Sequence, residues 1–286
     1  MKPPSAMHSP PTDSDAPLVL MVAPNGAYKT HADHPELPLT PDALALTARH
    51  CLEAGASMLH LHVRDREGRH VLEAQAYQDA IHAIRQAVGN DLVIQITSEA
   101  AQRYHPAEQM AVVRAVHPEA VSVALRELVP DAASETAAAP FFEWLHREGI
   151  MTQFILYSRE ELARFLLLRQ RGLLPATADS VLFVLGRYRT GQHSDPQDLV
   201  PFLETLGTQP LHWTVCAFGA QEAACLTAAM TLSGHVRTGF ENNLRLPGGE
   251  LARDNAQLVD LIARQAQQLG RPLARADHVR ALWAWA

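Results

Sequence analysis

The sequence predicts an α/β fold, a single (β/α)8 TIM barrel, and three observations carry that reading. From Leu18 onward, short β-branched or apolar runs alternate with longer segments of helical period; the alternation repeats eight times; and the chain, at 286 residues, is close to the ~250 that eight such units occupy. The rival architecture, a doubly wound open sheet, calls for a G-x-G-x-x-G turn after its first strand. Here that turn reads Ala23-Pro24-Asn25-Gly26-Ala27-Tyr28.

In order, the predicted strands are Leu18–Ala23, Ser57–Val63, Asp91–Thr97, Ala120–Leu125, Met151–Leu156, Ser180–Leu185, Leu211–Ala217 and His235–Phe240. The predicted helices are Pro41–Ala54, Glu73–Val88, Pro106–Ala115, Ala133–Glu148, Arg159–Arg171, Pro196–Thr205, Gln221–Leu232 and Asp254–Leu269. Thr40 before Pro41, and Ser194 two residues before Pro196, place a capping side chain ahead of a first-turn proline. Gly55, Gly149 and Gly172 sit where C-terminal caps belong. A last short helix, Ala276–Ala284, is expected to pack on the barrel or a neighbouring subunit through Leu282, Trp283 and Trp285.

Composition narrows the function. The chain is 47% hydrophobic and long enough to bury roughly 75% of its unfolded surface. Three cysteines, Cys51, Cys216 and Cys225, are an odd number without metal-ligand spacing, which excludes a disulfide scaffold and points to a cytoplasmic protein. A net charge of -7 argues against nucleic acid or an anionic membrane as partner. No apolar run approaches the ~18 residues of a membrane span. Residues 1–17 are Pro-, Ser- and Asp-rich, lack the basic and apolar stretches of a signal peptide, and read as a disordered tail ahead of one barrel domain over 18–286.

In such barrels the active site lies at the carboxyl ends of the strands. There the second strand carries His60-Leu61-His62, two imidazoles on one face of a strand. They read either as metal ligands or as core histidines bonded to carbonyls. The eighth strand ends in Arg237-Thr238-Gly239-Phe240-Glu241-Asn242. Glu241 is a candidate third ligand, though taken alone it would read as a solvated loop carboxylate.

Three segments together resemble the β-keto acid cleavage enzymes. They are His60-Leu61-His62-Val63-Arg64-Asp65; Asn25-Gly26-Ala27 followed by Pro38-Leu39-Thr40-Pro41; and Val236-Arg237-Thr238-Gly239-Phe240-Glu241-Asn242-Asn243. The resemblance runs from Leu18 to the C-terminus. It implies a zinc-dependent acyltransferase that condenses a β-keto acid with acetyl-CoA, giving acetoacetate and a new acyl-CoA, and a homo-oligomer, usually a tetramer. It also implies that one zinc is held by His60, His62 and Glu241, with the keto acid chelating it.

The departures matter as much. Where the family has an Asp paired with the arginine matching Arg237, its proposed base, this chain has Asn242, and an amide cannot take a proton. Ser-Thr-Gly-Gly after strand three becomes Thr97-Ser98-Glu99-Ala100, so Glu99 is the candidate to inherit the base role. The acids of the first loop and fifth strand become Tyr28 and Ile155, and a strand-four Thr becomes Ser122. A Pro-Gly-Gly region becomes Arg187-Tyr188-Arg189, where Arg187 and Arg189 can bind coenzyme A phosphates or a substrate carboxylate. An ammonium-bearing substrate is therefore disfavoured. Arg126 or Arg187 in the cup would suit an anionic tail; Ile155 and Leu125 would suit an apolar one. The alternative function is a divergent zinc-binding barrel with aldolase- or hydrolase-type chemistry, or ligand binding alone.

Overall fold

The computed structural model describes residues 16–187, 191 and 193–283. Eight parallel strands close into a barrel in sequential order: β1 (Leu20–Val22), β2 (Met58–Leu61), β3 (Val93–Thr97), β4 (Ala120–Ala124), β5 (Met151–Leu156), β6 (Ser180–Leu185), β7 (His212–Ala217) and β8 (His235–Thr238). Closure pairs Met21 of β1 with Met58 on one side and Arg237 on the other, which brings the ends of β2 and β8 to flank β1. Strands β5 and β6 have the expected bounds; the others are trimmed by one to three residues at one or both ends.

Alternation along each strand sorts the side chains. Leu59, Leu61 and Val63 join the apolar layer between strands and helices, while Met58 points into the barrel floor with Val19, Met21, Val93, Ala120 and Met151. His60 and His62 share the inward parity of Met58. The outer shell consists of α1 (Pro41–Glu53), α2 (Ala74–Val88), α3 (Pro106–Val116), α4 (Leu125–Leu128), α5 (Ala132–Arg147), α6 (Arg159–Gln170), α7 (Val200–Leu206), α8 (Glu222–Thr231) and α9 (Asn255–Gln268). A 3-10 turn, Pro196–Leu199, precedes α7 within the segment read as one helix, and its N-cap is Asp195 in place of Ser194. Ser194 donates instead to the Phe218 carbonyl. Thr40 caps α1 as expected, accepting from the Ala43 N–H.

The short α4 is a helix that the sequence reading missed. It takes Leu125, assigned to strand four, out of that strand. The last helix, α10 (Ala276–Trp283), closes the barrel floor: buried Trp283 packs in the cluster of Val19, Met21 and Met151, with Leu282 against it. Trp285 and the first 15 residues lie outside the described residues. Among the described residues, no helix is long and apolar enough to cross a membrane.

Candidate active site

The cup at the carboxyl ends of the strands is built on two glycines. Gly239 has φ +130°, and a Cβ there would lie 2.5 Å from the Ala23 carbonyl oxygen, so only glycine lets the end of β8 lie against β1. The Glu241 N–H then donates to that same carbonyl at 3.0 Å. Gly26, at φ +63°, lies directly against the Glu241 side chain. Asn25 ties this first loop to β2 by donating to the carbonyls of Pro38 and His62, at 2.9 and 3.1 Å. Asn255 ties it to β8, accepting from the Phe240 N–H and donating to the Pro24 carbonyl. Arg64 reaches from β2 to the carbonyls of Gly26 and Lys29.

Within this frame His60, His62 and Glu241 converge, their ligand atoms all within 4.8 Å of one another. The two Nε2 atoms are 3.1 Å apart, and Glu241 Oε2 lies 3.5 and 3.3 Å from them. Oε2 is buried and accepts no well-formed hydrogen bond among the described residues. Burial lowers the histidines, to about 4 for His60 and about 3 for His62, despite the raising influence of Glu241. Burial would raise Glu241, but Arg237 and the two histidines together hold it well below the usual carboxylate range. Two neutral imidazoles and one carboxylate aimed at a common point match the two-histidine, one-carboxylate set of a catalytic zinc site.

Arg237 braces the carboxylate: its Nη2 donates to Glu241 Oε1 at 2.8 Å and to Cys216 Sγ at 3.4 Å. Its Nε and Nη1, equally buried, have no hydrogen-bond partner among the described residues, and the side chain lines the cup. Glu99 follows β3, with its N–H bonded to Thr97 Oγ1. Its carboxylate lies 3.9 Å from His62 Nε2 and 3.8 Å from Arg187 Nη2. Burial and the nearby Glu241 raise it to about 7 against the lowering influence of Arg187. The loop after β3 turns at Ala101 and Gln102, φ +46° and +59°.

Tyr28, Thr97, Ser122, Ile155 and Arg187 all line the same cup. The Arg187 guanidinium lies 5.1 Å over the Tyr28 ring and 5.0 Å over Phe218. Arg189 lies outside the described residues. Asn242 is buried, does not line the cup, and its amide makes no hydrogen bond among the described residues. Arg126 is held outside the cup by Glu161 and the Tyr157 ring, and Leu125 joins the outer apolar layer. Sequence reasoning missed Lys29, whose ammonium donates to the Glu241 carbonyl at 2.7 Å, and the apolar wall of Ala124, Val184 and Phe218. Inward parity on β4 and β6 signals Ala124 and Val184; Lys29 and Phe218 sit in loops that carry no such signal.

A closed parallel barrel with these three side chains gathered at its carboxyl end defines a protein of the TIM-barrel class whose cup holds a group able to bind a metal ion. A solved barrel structure, that of apo ObcA, shares the fold: TM-score 0.66 at 17% identity, covering 87% of this chain and 65% of that one, so this chain spans just under two thirds of its length. The model of the beta-keto acid cleavage enzyme family matches residues 17–284, and the chain belongs to that family. Among its relatives is a 3-keto-5-aminohexanoate cleavage enzyme of Fusobacterium nucleatum, 28% identical over 92% of this chain and 96% of that protein. Another is a 3-oxoadipate:acetyl-CoA acetyltransferase of Cupriavidus necator, 24% identical over 93% and 94%.

Proposed function

We propose that this enzyme condenses a β-keto acid with acetyl-CoA, giving acetoacetate and a new acyl-CoA. We further propose that it does so with one zinc ion held by His60, His62 and Glu241. The observation that carries this reading is the convergence of those three side chains beside Arg237 and Glu99. When bound, zinc would supply Lewis-acid polarisation of the keto oxygen and so acidify the C2 protons.

The protein's own groups do the rest. Glu99, whose carboxylate lies 3.9 Å from His62 Nε2 and lines the cup, is the group placed to take a proton from C2. Arg237 presents its free N–H groups to an anionic oxygen of the substrate, and Thr97 and Ser122 offer hydroxyls from the floor of the cup. The C2 carbanion joins the acetyl carbonyl carbon; the released coenzyme A thiolate adds to the former C3; the C2–C3 bond breaks. Glu99 returns its proton to C2 of acetoacetate, so the proton balance closes.

The tail of the substrate meets Ile155, Ala124, Val184 and Phe218, with Tyr28 and Arg187 at the rim. By the resemblance, Tyr28 and Ile155 stand where the family's type enzyme has acids and offer no carboxylate to an ammonium; of the carboxylates that do line the cup, Glu99 faces His62 and Arg187, and Glu127 accepts from the Ala100 N–H and Gln109. The preferred β-keto acid carries no amino group. The same reading takes the chain as a single-domain homo-oligomer of the cytoplasm, a setting supported by its three unpaired, buried thiols.

The test is acyl-CoA mass spectrometry with acetyl-labelled acetyl-CoA and a panel of aminated, neutral and dicarboxylic β-keto acids. The label is expected in acetoacetate, with the new acyl-CoA unlabelled and the aminated compound the poorest substrate. No new acyl-CoA from any member would leave the altered-chemistry reading in its place.

A further inference from the structure

Below the ligand cluster the barrel interior is polar where hydrocarbon is usual. Gln95 of β3, Gln153 of β5, Ser180 of β6 and Thr214 of β7 are all buried. They form one chain of hydrogen bonds. His60 Nδ1 lies 2.8 Å from Gln95 Oε1; Gln95 Nε2 donates to Gln153 Oε1 at 3.4 Å; Gln153 Nε2 donates to Thr214 Oγ1 at 3.2 Å and Ser180 Oγ at 3.5 Å. We propose that Gln95 is a positioning residue for the metal ligand His60. Its side-chain carbonyl fixes the Nδ1–H form of the imidazole, and Gln153 with its two hydroxyls fixes Gln95. The inference rests on the metal reading above.

The physical reason is directional. A neutral imidazole has one N–H, and only the bare nitrogen can ligate a cation. An acceptor at Nδ1 puts the proton there and leaves Nε2, the atom facing His62 and Glu241, free to bind. An amide presents a carbonyl on one side and an amino group on the other, so Gln95 can turn over only if Gln153 turns with it. The hydroxyls of Thr214 and Ser180 can accept or donate, so the chain has two concerted polarities. Only the observed one leaves Nε2 bare. His62 has no such support: its buried Nδ1 has no hydrogen-bond partner among the described residues. His60 is thus the ligand whose orientation the barrel interior dictates.

The experiment uses the full chain. Metal-free protein with 15N-labelled histidine, its His60 signals assigned with a His60→Gln variant, reports the tautomer; competition with a chelator reports the affinity for Zn2+ alone. The wild type is expected to show His60 protonated at Nδ1. Gln95→Leu is expected to mix the tautomers and weaken zinc binding roughly 10–100-fold. Gln95→Glu, which keeps an acceptor, is expected to restore both, and Gln153→Leu to mix the tautomers without touching His60. A metal-free wild type with His60 protonated at Nε2 overturns the proposal without any variant having to fold. So does a folded Gln95→Leu that binds zinc as the wild type does. A wild type that takes up no zinc is a separate result: it overturns the metal centre, and this role with it.

Discussion

Gly26→Ala tests the placement of Glu241 without touching a ligand. At φ +63° an alanine incurs a left-handed penalty of about 1–2 kcal/mol. Its Cβ would also lie 2.6 Å from Glu241 Cγ, 3.1 Å from Cβ and 3.3 Å from Cα, so rotating the carboxylate away relieves only the nearest contact. Overpacking of that kind adds about 1–3 kcal/mol, and the stiffer unfolded chain offsets about 0.4–1. The net loss is about 2–4 kcal/mol, or roughly 4–8 °C in melting temperature at the low sensitivity of a large domain, about 2 °C per kcal/mol. Displacing Glu241 should also weaken zinc at least tenfold. Gly68→Ala is the control: φ is +78°, but the nearest atom is Leu39 Cδ1 at 4.0 Å, so it carries the strain without the collision. Calorimetric zinc titration and thermal melts of both variants separate the effects. Equal zinc affinity in Gly26→Ala and Gly68→Ala would refute the position given to Glu241.

Glu99→Gln should lower turnover by roughly 10²–10⁴, measured as acyl-CoA release, with zinc content unchanged. A base must be deprotonated, so the wild-type kcat/KM should fall on an acid limb that vanishes in Glu99→Gln. Acid should also destabilise the metal-free protein. Burial depresses His60 and His70 to about 4 and His62 and His235 to about 3, so their contribution is complete above the unfolded value of about 6.5 and is lost as pH falls toward 4. Glu99 and Glu222, raised by burial to about 7 and about 8, act in the opposite sense, their contribution being lost as pH rises. Four rings outweigh two carboxyls, so urea midpoints should fall between pH 6.5 and 4; a flat profile would contradict the buried, neutral state of the histidines.

Much of the barrel was legible because its signals are local. The alternation Met58-His60-His62 declared the inner face of β2, and prolines at 41, 106 and 196 marked helix starts. The short helix Leu125–Leu128 was not, because Ala120 to Leu125 is one apolar run whose change from strand to helix depends on packing beneath α3 and α6. The trio His60, His62 and Glu241 was readable as a pattern at the end of one strand and just beyond another. The nearness of Glu99 to His62, and the Gln95 chain beneath His60, depend on barrel register, which no single segment encodes. Arg126 is the clearest case: a cation beside a strand end, it is drawn out of the cup by Glu161, a partner 35 residues away.

Metal content per chain, by mass spectrometry on the wild type and His60→Ala after zinc loading and desalting, addresses the central claim most directly. One zinc per wild-type chain is expected, and its loss in a His60→Ala protein that keeps the wild-type circular dichroism. Full zinc occupancy in folded His60→Ala, or none in the wild type, would contradict it.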